Sequence, residues 1–262
     1  MKAMILAAGV GSRLRPLTDT CPKALIDING VPMLEIVLRR LIHAGCREIV
    51  INVFHLADLI VEFLQRRNNF GIRIEIFRES QLLDTGGGLK NAASFFDDGQ
   101  PFFLHNVDVL SDIDLNKMYR RHLEHDALAT LAVQARETSR YFLFDETDTL
   151  CGWESLNEHQ KTLTRAPAGN VARLAFNGIH VLSPKIFSHM IETGVFSINQ
   201  TYLRLAGAGE KIMAFRMDEY YWRDIGRLEK LQAIRQEARA IPAALFSFLS
   251  LALLEKYLYV AG

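Results

Sequence analysis

The chain has 262 residues, with 30 basic and 30 acidic side chains and a hydrophobic share of 49%. This length can bury a substantial core in one large domain or two small ones, and the balanced charge argues against a nucleic-acid-binding protein, which would need a broad basic face. The three cysteines lie far apart without metal-type spacing and the first residues already resemble a strand, so we expect a cytoplasmic protein without a signal peptide.

Strand-like and helix-like patterns alternate through the first half of the chain. In order, the pattern predicts strand 2–7, helix 33–44, strand 48–53, helix 56–67, strand 72–77, helix 88–96, strand 101–105, helix 115–125 and strand 127–133. This alternation is typical of the α/β class, with a mostly parallel sheet between two layers of helices. We therefore predict a Rossmann-like, three-layer α/β/α architecture.

The second half departs from that rhythm. It predicts strands 141–144, 150–153 and 173–181 without helices between them, then helices 185–191 and 199–206, strand 211–216 and helix 227–237. The three consecutive strands indicate a small antiparallel insertion in the sheet. Because no linker rich in Gly, Ser or Pro interrupts residues 1–238, we predict one domain over that range.

The last segment of the chain, residues 239–262, is distinct in composition. Residues 240–254 are almost wholly apolar, yet they fall short of the ~20 residues that a membrane-spanning helix needs. We expect a terminal helix that packs on the domain or forms a homodimer contact. A membrane-surface anchor and a disordered tail are the alternatives, and Arg235 and Arg239 keep the first of these open.

A glycine-containing, cationic loop follows the first predicted strand. Gly9 and Gly11 let backbone N–H groups approach an anion closely, and Arg13, Arg15 and Lys23 supply positive charge for phosphate oxygens. The loop therefore predicts a polyphosphate site at the carboxyl end of a strand, where open α/β sheets bind ligands.

Two common phosphate-binding loops do not fit this segment. A Walker loop requires Gly-Lys-Ser/Thr, but the chain has Gly11-Ser12-Arg13. The dinucleotide fingerprint requires a third glycine where Leu14 stands.

Residues 6–23 resemble the signature of the sugar-1-phosphate nucleotidyltransferases (NDP-sugar pyrophosphorylases), L-A-A-G-x-G-x-R-L-x-P-L-T-x-x-x-P-K, at every specified position. The resemblance extends over about residues 1–238 and is nearest the branch of N-acetylmuramic acid-1-phosphate uridylyltransferase and mannose-1-phosphate guanylyltransferase. It implies the nucleotide-diphospho-sugar transferase fold and an enzyme of the EC 2.7.7 type, which makes an NDP-sugar and pyrophosphate from an NTP and a sugar 1-phosphate for cell-wall or polysaccharide precursors.

The resemblance also assigns residues to the nucleotide. It implies catalytic roles for Arg13, Lys23 and Asp108, and a base-binding role for the loop Asp84-Thr-Gly-Gly-Gly-Leu89, whose glycines would admit a flat ring and expose N–H groups. The nucleotide-binding candidates are Leu6, Ala7, Ala8, Gly9, Gly11, Ser12, Arg13, Lys23, Glu79, Gln81, Gly86 and Gly87.

Two carboxylates are candidates for a Mg²⁺ site. Asp108 directly follows a predicted strand, and Asp224 lies within Tyr221-Trp-Arg-Asp-Ile-Gly226, which is similar to a family Trp-x-Asp-x-Gly motif. Hard carboxylate oxygens suit Mg²⁺, and a turn role for Asp108 or a helix-cap role for Asp224 is the structural alternative. Val107 stands where the family usually has glycine, so the backbone beside the metal has less freedom than usual.

For the sugar phosphate, the resemblance favours Asn106, Glu154, Asn177 and Gly178. Many family members have Glu-Lys-Pro at Glu154, but Ser155 follows it here, so the usual phosphate-contacting lysine is missing. Lys161 is a substitute or, alternatively, an ordinary surface residue.

The choice of substrates stays open at this point. We favour UTP with a muramic-acid-type or hexosamine acceptor. The alternatives are a GTP-dependent mannose- or heptose-1-phosphate guanylyltransferase, a CTP-dependent phosphocholine-type cytidylyltransferase, and a non-catalytic nucleotide-sugar sensor of the same fold. We expect neither a nucleic-acid nor a membrane partner.

Overall fold

The computed structural model describes residues Met1–Gln236, so the prediction for residues 239–262 lies outside the described residues. The fold is of the α/β class, as predicted. Its strands are β1 Lys2–Leu6, β2 Asp27–Ile28, β3 Val31–Pro32, β4 Glu48–Val53, β5 Arg73–Arg78, β6 Phe102–Asn106, β7 Val109–Ser111, β8 Ala129–Gln134, β9 Arg140–Phe144, β10 Leu150–Ser155, β11 Gln160–Leu163, β12 Ala172–Leu182, β13 Ile212–Arg216 and β14 Trp222–Asp224.

The helices are α1 Leu17–Thr20, α2 Met33–His43, α3 Ala57–Arg66, α4 Asp84–Asn91, α5 Leu115–Glu124, α6 Ile186–His189, α7 Ile198–Gly207 and α8 Leu228–Gln236. Helices α2 to α5 alternate with strands as predicted, whereas the short helix α1 was not predicted. Among the described residues, no helix combines the length and the apolar character needed to cross a membrane.

The described chain forms two compact units. Unit 1 contains Met1–Leu82, His105–Ile113 and the described residues from Tyr220 onward, and unit 2 contains Leu83–Leu104 and Asp114–Glu219.

Unit 1 is built on the parallel strands β1, β4 and β5. The apolar runs of β1 and β4 are buried, as is usual for parallel strands that are covered on both faces. Leu6 pairs with Asn52, and Val53 pairs with Arg78, so the carboxyl ends of the three strands lie level at one edge. Whatever follows each strand therefore emerges at the same edge of the sheet.

A second part of unit 1 joins distant segments of the chain. β7 and β14 pair antiparallel, β2 and β3 form a small hairpin, and α8 contributes Leu231 and Ile234 to a cluster of buried apolar side chains. The other members of this cluster are Leu14, Ile26, Ile28, Val31, Met33, Ile36, Leu110 and Ile225. This packing holds the segment after β14 against the segments that follow β1.

Unit 2 contains the predicted antiparallel insertion. Its strand order is β11-β10-β9-β12-β8-β13, with antiparallel pairs throughout except that β13 runs parallel to β8. The register of β12 against β8 shifts between Phe176 and His180, which marks a bulge. Gly178 lies in this bulge with φ of +75°, a left-handed conformation that favours glycine.

Several element boundaries differ from the predictions. The helix expected over 88–96 begins earlier, at Asp84, and ends at Asn91, before a short 3₁₀ turn. Strands β2, β3, β7, β11 and β14 were not predicted, because two to four residues are too few to show a strand period. The helix expected over 185–191 is the shorter α6.

His122 on α5 gives the first testable prediction. Its side chain is buried and its Nδ1 lies 2.9 Å from Thr130 Oγ1, and burial lowers its pKa to about 4, against an ordinary value of 6.5. The unfolded chain therefore binds a proton as the pH falls through about 6.5, whereas the folded chain resists protonation down to about pH 4. Stability should fall over that window, by about 2 kcal/mol for this group at pH 5.

Urea unfolding at pH 7.5 and pH 5.0 measures this effect. The wild-type chain should lose about 2 kcal/mol more than a His122→Gln variant, whose amide does not titrate. Equal losses for the two proteins would show that His122 does not titrate on unfolding as proposed.

Candidate active site

The conformation of the loop after β1 is fixed by contacts between its own residues. Gly11 has φ of +64°, and a Cβ at this position would lie 2.7 Å from Thr18 Cγ2 and 3.2 Å from Lys23 Cβ. Gly11 O accepts hydrogen bonds from Thr18 Oγ1 at 2.9 Å and from Leu14 N at 2.8 Å. Only glycine fits position 11, and its carbonyl fixes the turn.

Gly9 is different. A Cβ on Gly9 would meet no atom within 4 Å, and the residue is exposed, so neither packing nor a left-handed φ requires a glycine there. A glycine at such a place leaves the backbone open to close approach from outside. Ser12 and Arg13 are exposed beside it, whereas Ala7 and Ala8 are buried and Leu6 is half-buried. Arg15 points to solvent and pairs with Asp19 at 3.2 Å.

Lys23 and Asp108 form an ion pair at the end of this loop. The Lys23 ammonium contacts the Asp108 carboxylate, with only 13% and 22% of the two side chains exposed. Asp108 is positioned by its neighbours, because Val107 N donates to Leu6 O at 3.1 Å and Ile225 N donates to Asp108 O at 2.8 Å. The main chain around Asp108 thus joins the end of β1 to the residue after β14.

The main chain at Asp224 runs next to the main chain at Asp108, across the β7–β14 ladder. In the β7–β14 ladder, Asp224 is opposite Val109, one residue beyond Asp108. Asp224 pairs with Lys230 on α8. A Cβ on Gly226 would lie 3.3 Å both from Asp224 Oδ2 and from Arg13 Nη2. The Arg13 guanidinium and the Asp224 carboxylate therefore share the space next to Gly226, where a larger side chain would displace one of them.

The two carboxylates suit a magnesium ion better than a metal with an all-protein cage. Within residues 1–236, no group of three or more His, Cys, Asp or Glu side chains could hold a metal. Magnesium is usually held by one or two carboxylates, with waters and phosphate oxygens completing its six ligands. Asp108 and Asp224 are the two carboxylates that could hold such an ion; Lys23 contacts the first, and Arg13 lies near the second beside Gly226.

Asn52 is a further candidate site residue, which the sequence did not reveal. It is the last-but-one residue of β4, and its Oδ1 accepts from Ala7 N at 2.9 Å, while its Nδ2 donates to Glu79 Oε1 at 2.7 Å. The Ala7 N–H is therefore already bonded within the protein. A single amide in the otherwise apolar end of a buried strand was the signal that could have identified Asn52.

Glu79 and Gln81 have different surroundings. Glu79 follows β5, is buried, and donates its main-chain N–H to Val53 O at 2.9 Å. Its carboxylate is held by the hydrogen bond that Glu79 Oε1 accepts from Asn52 Nδ2. Gln81 is exposed. Of these two nucleotide-binding candidates, Glu79 is the one that the fold holds in place.

Asn106, at the end of β6, carries an unpaired acceptor. Its Oδ1 is buried and has no hydrogen-bond partner among the described residues. A buried oxygen without a partner is costly, by roughly 1–3 kcal/mol, and marks a position where a ligand donor would be stabilising. The neighbouring His105 Nδ1 lies 2.8 Å from Asn106 O, and burial lowers the pKa of His105 to about 4, so this ring is neutral at pH 7.

The glycines of the predicted base-binding loop have a packing role in unit 2. Gly86 N and Gly87 N donate to Phe196 O at 2.9 and 3.2 Å. The expectation that these N–H groups are exposed is therefore wrong, because both are bonded within the protein. A Cβ on Gly86 would lie 2.3 Å from the Phe196 ring, and one on Gly87 would lie 2.5 Å from Gly194 O. A glycine run before a helix indicates close approach, but here the closely approaching partner is the protein itself.

The remaining sugar-site candidates of unit 2 are tied to arginines. Glu154 Oε1 accepts a hydrogen bond of 2.7 Å from Arg173 Nη2, and Glu154 Oε2 lies 2.7 Å from Arg173 Nε in the same ion pair. Asn177, which precedes the Gly178 bulge, accepts from Arg136 Nε at 3.0 Å and donates to Gln134 Oε1 at 3.1 Å. Sequence reasoning missed both arginines, since neither lies in a motif.

Lys161, the suggested substitute for the missing lysine, lies opposite Glu154 in the β10–β11 ladder and is exposed.

The predicted site residues are divided between the two units. Unit 1 contains the loop after β1, Lys23, Glu79, Asn106, Asp108 and Asp224. Gly86, Gly87, Glu154, Asn177 and Gly178 belong to unit 2.

The chain is similar in sequence to known nucleotidyltransferases. Residues 2–240 match the model of a family described as nucleotidyl transferase. N-acetylmuramate alpha-1-phosphate uridylyltransferase of Caulobacter vibrioides is 34% identical over 219 residues, which span 79% of this chain and 85% of that protein. The catalytic subunit beta of mannose-1-phosphate guanylyltransferase of Xenopus tropicalis is 28% identical, over 90% of this chain and 66% of that protein.

Solved structures share the fold at lower sequence identity. HddC from Yersinia pseudotuberculosis has a TM-score of 0.71 and 23% identity, over 90% of this chain and 98% of that one. The inositol-1-phosphate CTP transferase from T. maritima has a TM-score of 0.68 and 18% identity, over 90% and 96%. These likenesses confirm the predicted fold.

Proposed function

The chain belongs to the nucleotidyl transferase family, and on this basis we propose that it transfers a nucleotidyl group from an NTP to a sugar 1-phosphate, releasing pyrophosphate. The observation that carries the proposal is the arrangement in unit 1. Main-chain hydrogen bonds there join the segments that carry the open loop at Gly9 and the Lys23–Asp108 ion pair. The same segments bring Arg13 and Asp224 together beside Gly226. Cations and carboxylates in one place suit a reaction between two polyanions.

In the proposed reaction, an oxygen of the sugar phosphate bonds to the α-phosphorus of the NTP while the bond from that phosphorus to the pyrophosphate oxygen breaks. The attacking oxygen is already anionic, so no side chain has to remove a proton. The chain must instead position the reactants and neutralise charge. Lys23 neutralises the α-phosphate and the incoming phosphate, and Arg13 stabilises the departing pyrophosphate.

Asp108 and Asp224 are the residues that would hold Mg²⁺. When bound, the ion would neutralise phosphate charge and hold the α-phosphate in line with the attacking oxygen. Lys23 pairs with the Asp108 carboxylate, and Lys230 pairs with the Asp224 carboxylate, so each of the two acids lies beside a cation.

For the donor base we propose UTP ahead of GTP. The support is the 34% identical uridylyltransferase, and guanylyltransferases are also among the relatives. Glu79 is the residue that we propose contacts the base. A carboxylate there accepts from a ring N–H, which uracil and guanine carry and cytosine lacks, so CTP should be the weakest donor of the three.

On the acceptor side we propose Asn106, Glu154, Asn177 and Gly178, as the resemblance implies. Arg136 and Arg173 are the added candidates for the sugar phosphate, in place of the lysine that Ser155 replaces. Arg136 is fixed by Asn177 and by a bond to Phe176 O at 3.0 Å, so its guanidinium is pre-positioned.

A substrate panel tests this function directly. The full chain is mixed with Mg²⁺, each of the four NTPs, and the 1-phosphates of N-acetylmuramic acid, N-acetylglucosamine, mannose and heptose, with phosphocholine as a further acceptor. We expect pyrophosphate release to be fastest with UTP and an amino-sugar phosphate. Release only with GTP or CTP would replace the proposed donor, and no release with any pair, despite nucleotide binding, would indicate a sensor.

A further inference from the structure

Unit 1 contains a cavity apart from the proposed active-site residues. It has a volume of about 480 Å³ and is lined by Arg39, Ile42 and His43 of α2, and by Arg67 and Phe70 beyond the end of α3. None of these residues lies in the signature or in the other candidate motifs. The volume falls in the range of pockets that hold small organic ligands, about 300–1,000 Å³.

The two arginines are anchored by one buried acid. Arg39 Nη2 lies 2.8 Å from Glu35 Oε1, and Arg67 Nη2 lies 3.3 Å from Glu35 Oε2. Only 1% of the Glu35 side chain is exposed, against 26% for Arg39 and 43% for Arg67. Two guanidinium groups against one carboxylate leave a net positive charge, held in a fixed position at the wall of the cavity.

An aromatic ring is held beside these cations by an unusual backbone. Asn68, Asn69, Phe70 and Gly71 have successive φ angles of 47°, 47°, 54° and 72°. Bulky side chains rarely adopt this left-handed conformation, and such strain is retained most often where a site needs it. The Phe70 ring lies 5.2 Å from the Arg39 guanidinium carbon and 6.0 Å from the Phe63 ring.

A fixed positive charge beside an aromatic ring suits a ligand that carries both a negative charge and a flat ring. Fixed guanidinium groups bind phosphate oxygens, and the Phe70 face that Arg39 does not cover can stack with a heterocycle. We propose that this cavity is a second nucleotide site, in which Arg39 and Arg67 bind the phosphate and Phe70 stacks on the base. The site is distinct in its residues from the catalytic one and does not depend on the reaction assigned to the latter.

Binding of nucleoside monophosphates to the full chain tests the proposal. Calorimetric titrations with UMP and with GMP are made in a Lys23→Ala background, which weakens binding at the catalytic loop. Inorganic phosphate and the free nucleosides serve as partial probes. We expect one site per chain for UMP or GMP, with weaker binding of phosphate or nucleoside alone.

Two variants and a matched control identify the site. Phe70→Gly removes the ring and places at position 70 the residue that accepts a positive φ, so the fold should be retained, which thermal unfolding checks. Phe70→Gly and Arg67→Gln should each weaken binding by about tenfold or more. Arg66→Gln, in an exposed ion pair with Glu62 on the same helix, should leave it unchanged.

Absence of UMP and GMP binding in the Lys23→Ala background would overturn the proposal. Binding that survives both Phe70→Gly and Arg67→Gln would overturn it as well. Because catalysis is not the readout, a failure here is separable from a failure of the substrate panel.

Discussion

A Lys23→Ala variant should lose about two to three orders of magnitude in turnover while keeping its fold. Lys23 is the cation at the end of the glycine loop. A Cβ on Gly11 would lie 3.2 Å from Lys23 Cβ, and the Lys23 ammonium is held beside Asp108 by their ion pair. Loss of one preorganised donor to a developing phosphate charge costs on the order of 10²–10³ in turnover.

The measurement is the rate of pyrophosphate release at saturating substrates, with unfolding followed in parallel. The ion pair with Asp108 is partly buried, so its loss should cost roughly 1–2 kcal/mol of stability, too little to unfold the protein. Lys185→Ala is the control, because Lys185 is 73% exposed and lies 3.9 Å from Asp126. If Lys23→Ala turned over within about threefold of wild type, Lys23 would have no catalytic role.

Asp108→Asn should have an effect of similar size, for a different reason. The substitution keeps the shape of the side chain but removes a negative charge and a strong oxygen ligand. Binding of Mg²⁺ should weaken, and turnover at a fixed, subsaturating Mg²⁺ concentration should fall by roughly 10²-fold. A titration of activity against Mg²⁺ should show the midpoint moving to higher concentration.

A double-mutant cycle then tests whether Lys23 and Asp108 act together. Since the two side chains contact each other, the effects of Lys23→Ala and Asp108→Asn on turnover should not add in the double variant.

For the Mg²⁺ titration of Asp108→Asn, the control variant is Asp126→Asn, because 88% of the Asp126 side chain is exposed and it belongs to unit 2. An unchanged Mg²⁺ midpoint in Asp108→Asn would remove Asp108 from the metal site.

Much of the fold could be predicted, because buried parallel strands are apolar runs that sequence reveals directly. β1, β4 and β12 lie within a residue of their predicted ends, and the antiparallel insertion is where strands followed each other without helices. The short β7–β14 ladder could not be predicted, because each strand has three residues and the pairing joins segments far apart in the chain.

The sequence predicts those candidate site residues that lie together in one short segment of the chain. It does not predict those that folding brings together from distant segments. The loop from Leu6 to Lys23 was identified from its own residues. Asn52 was missed because its role lies in bonds to Ala7 and Glu79, which come from other strands. Gly86 and Gly87 show the converse, since a glycine run indicates close contact without telling whether a ligand or Phe196 makes it.

The β7–β14 ladder has a consequence for when the protein becomes competent during synthesis. The two acids proposed to hold the metal come from opposite halves of the chain, and Asp108 is bonded through its carbonyl to the residue that follows Asp224. A nascent chain that ends before β14 would carry the glycine loop and one acid without the other. Such a truncated product would have the loop proposed to bind phosphate, but it would lack the second carboxylate proposed to hold the metal ion, and we expect it to be inactive in nucleotidyl transfer.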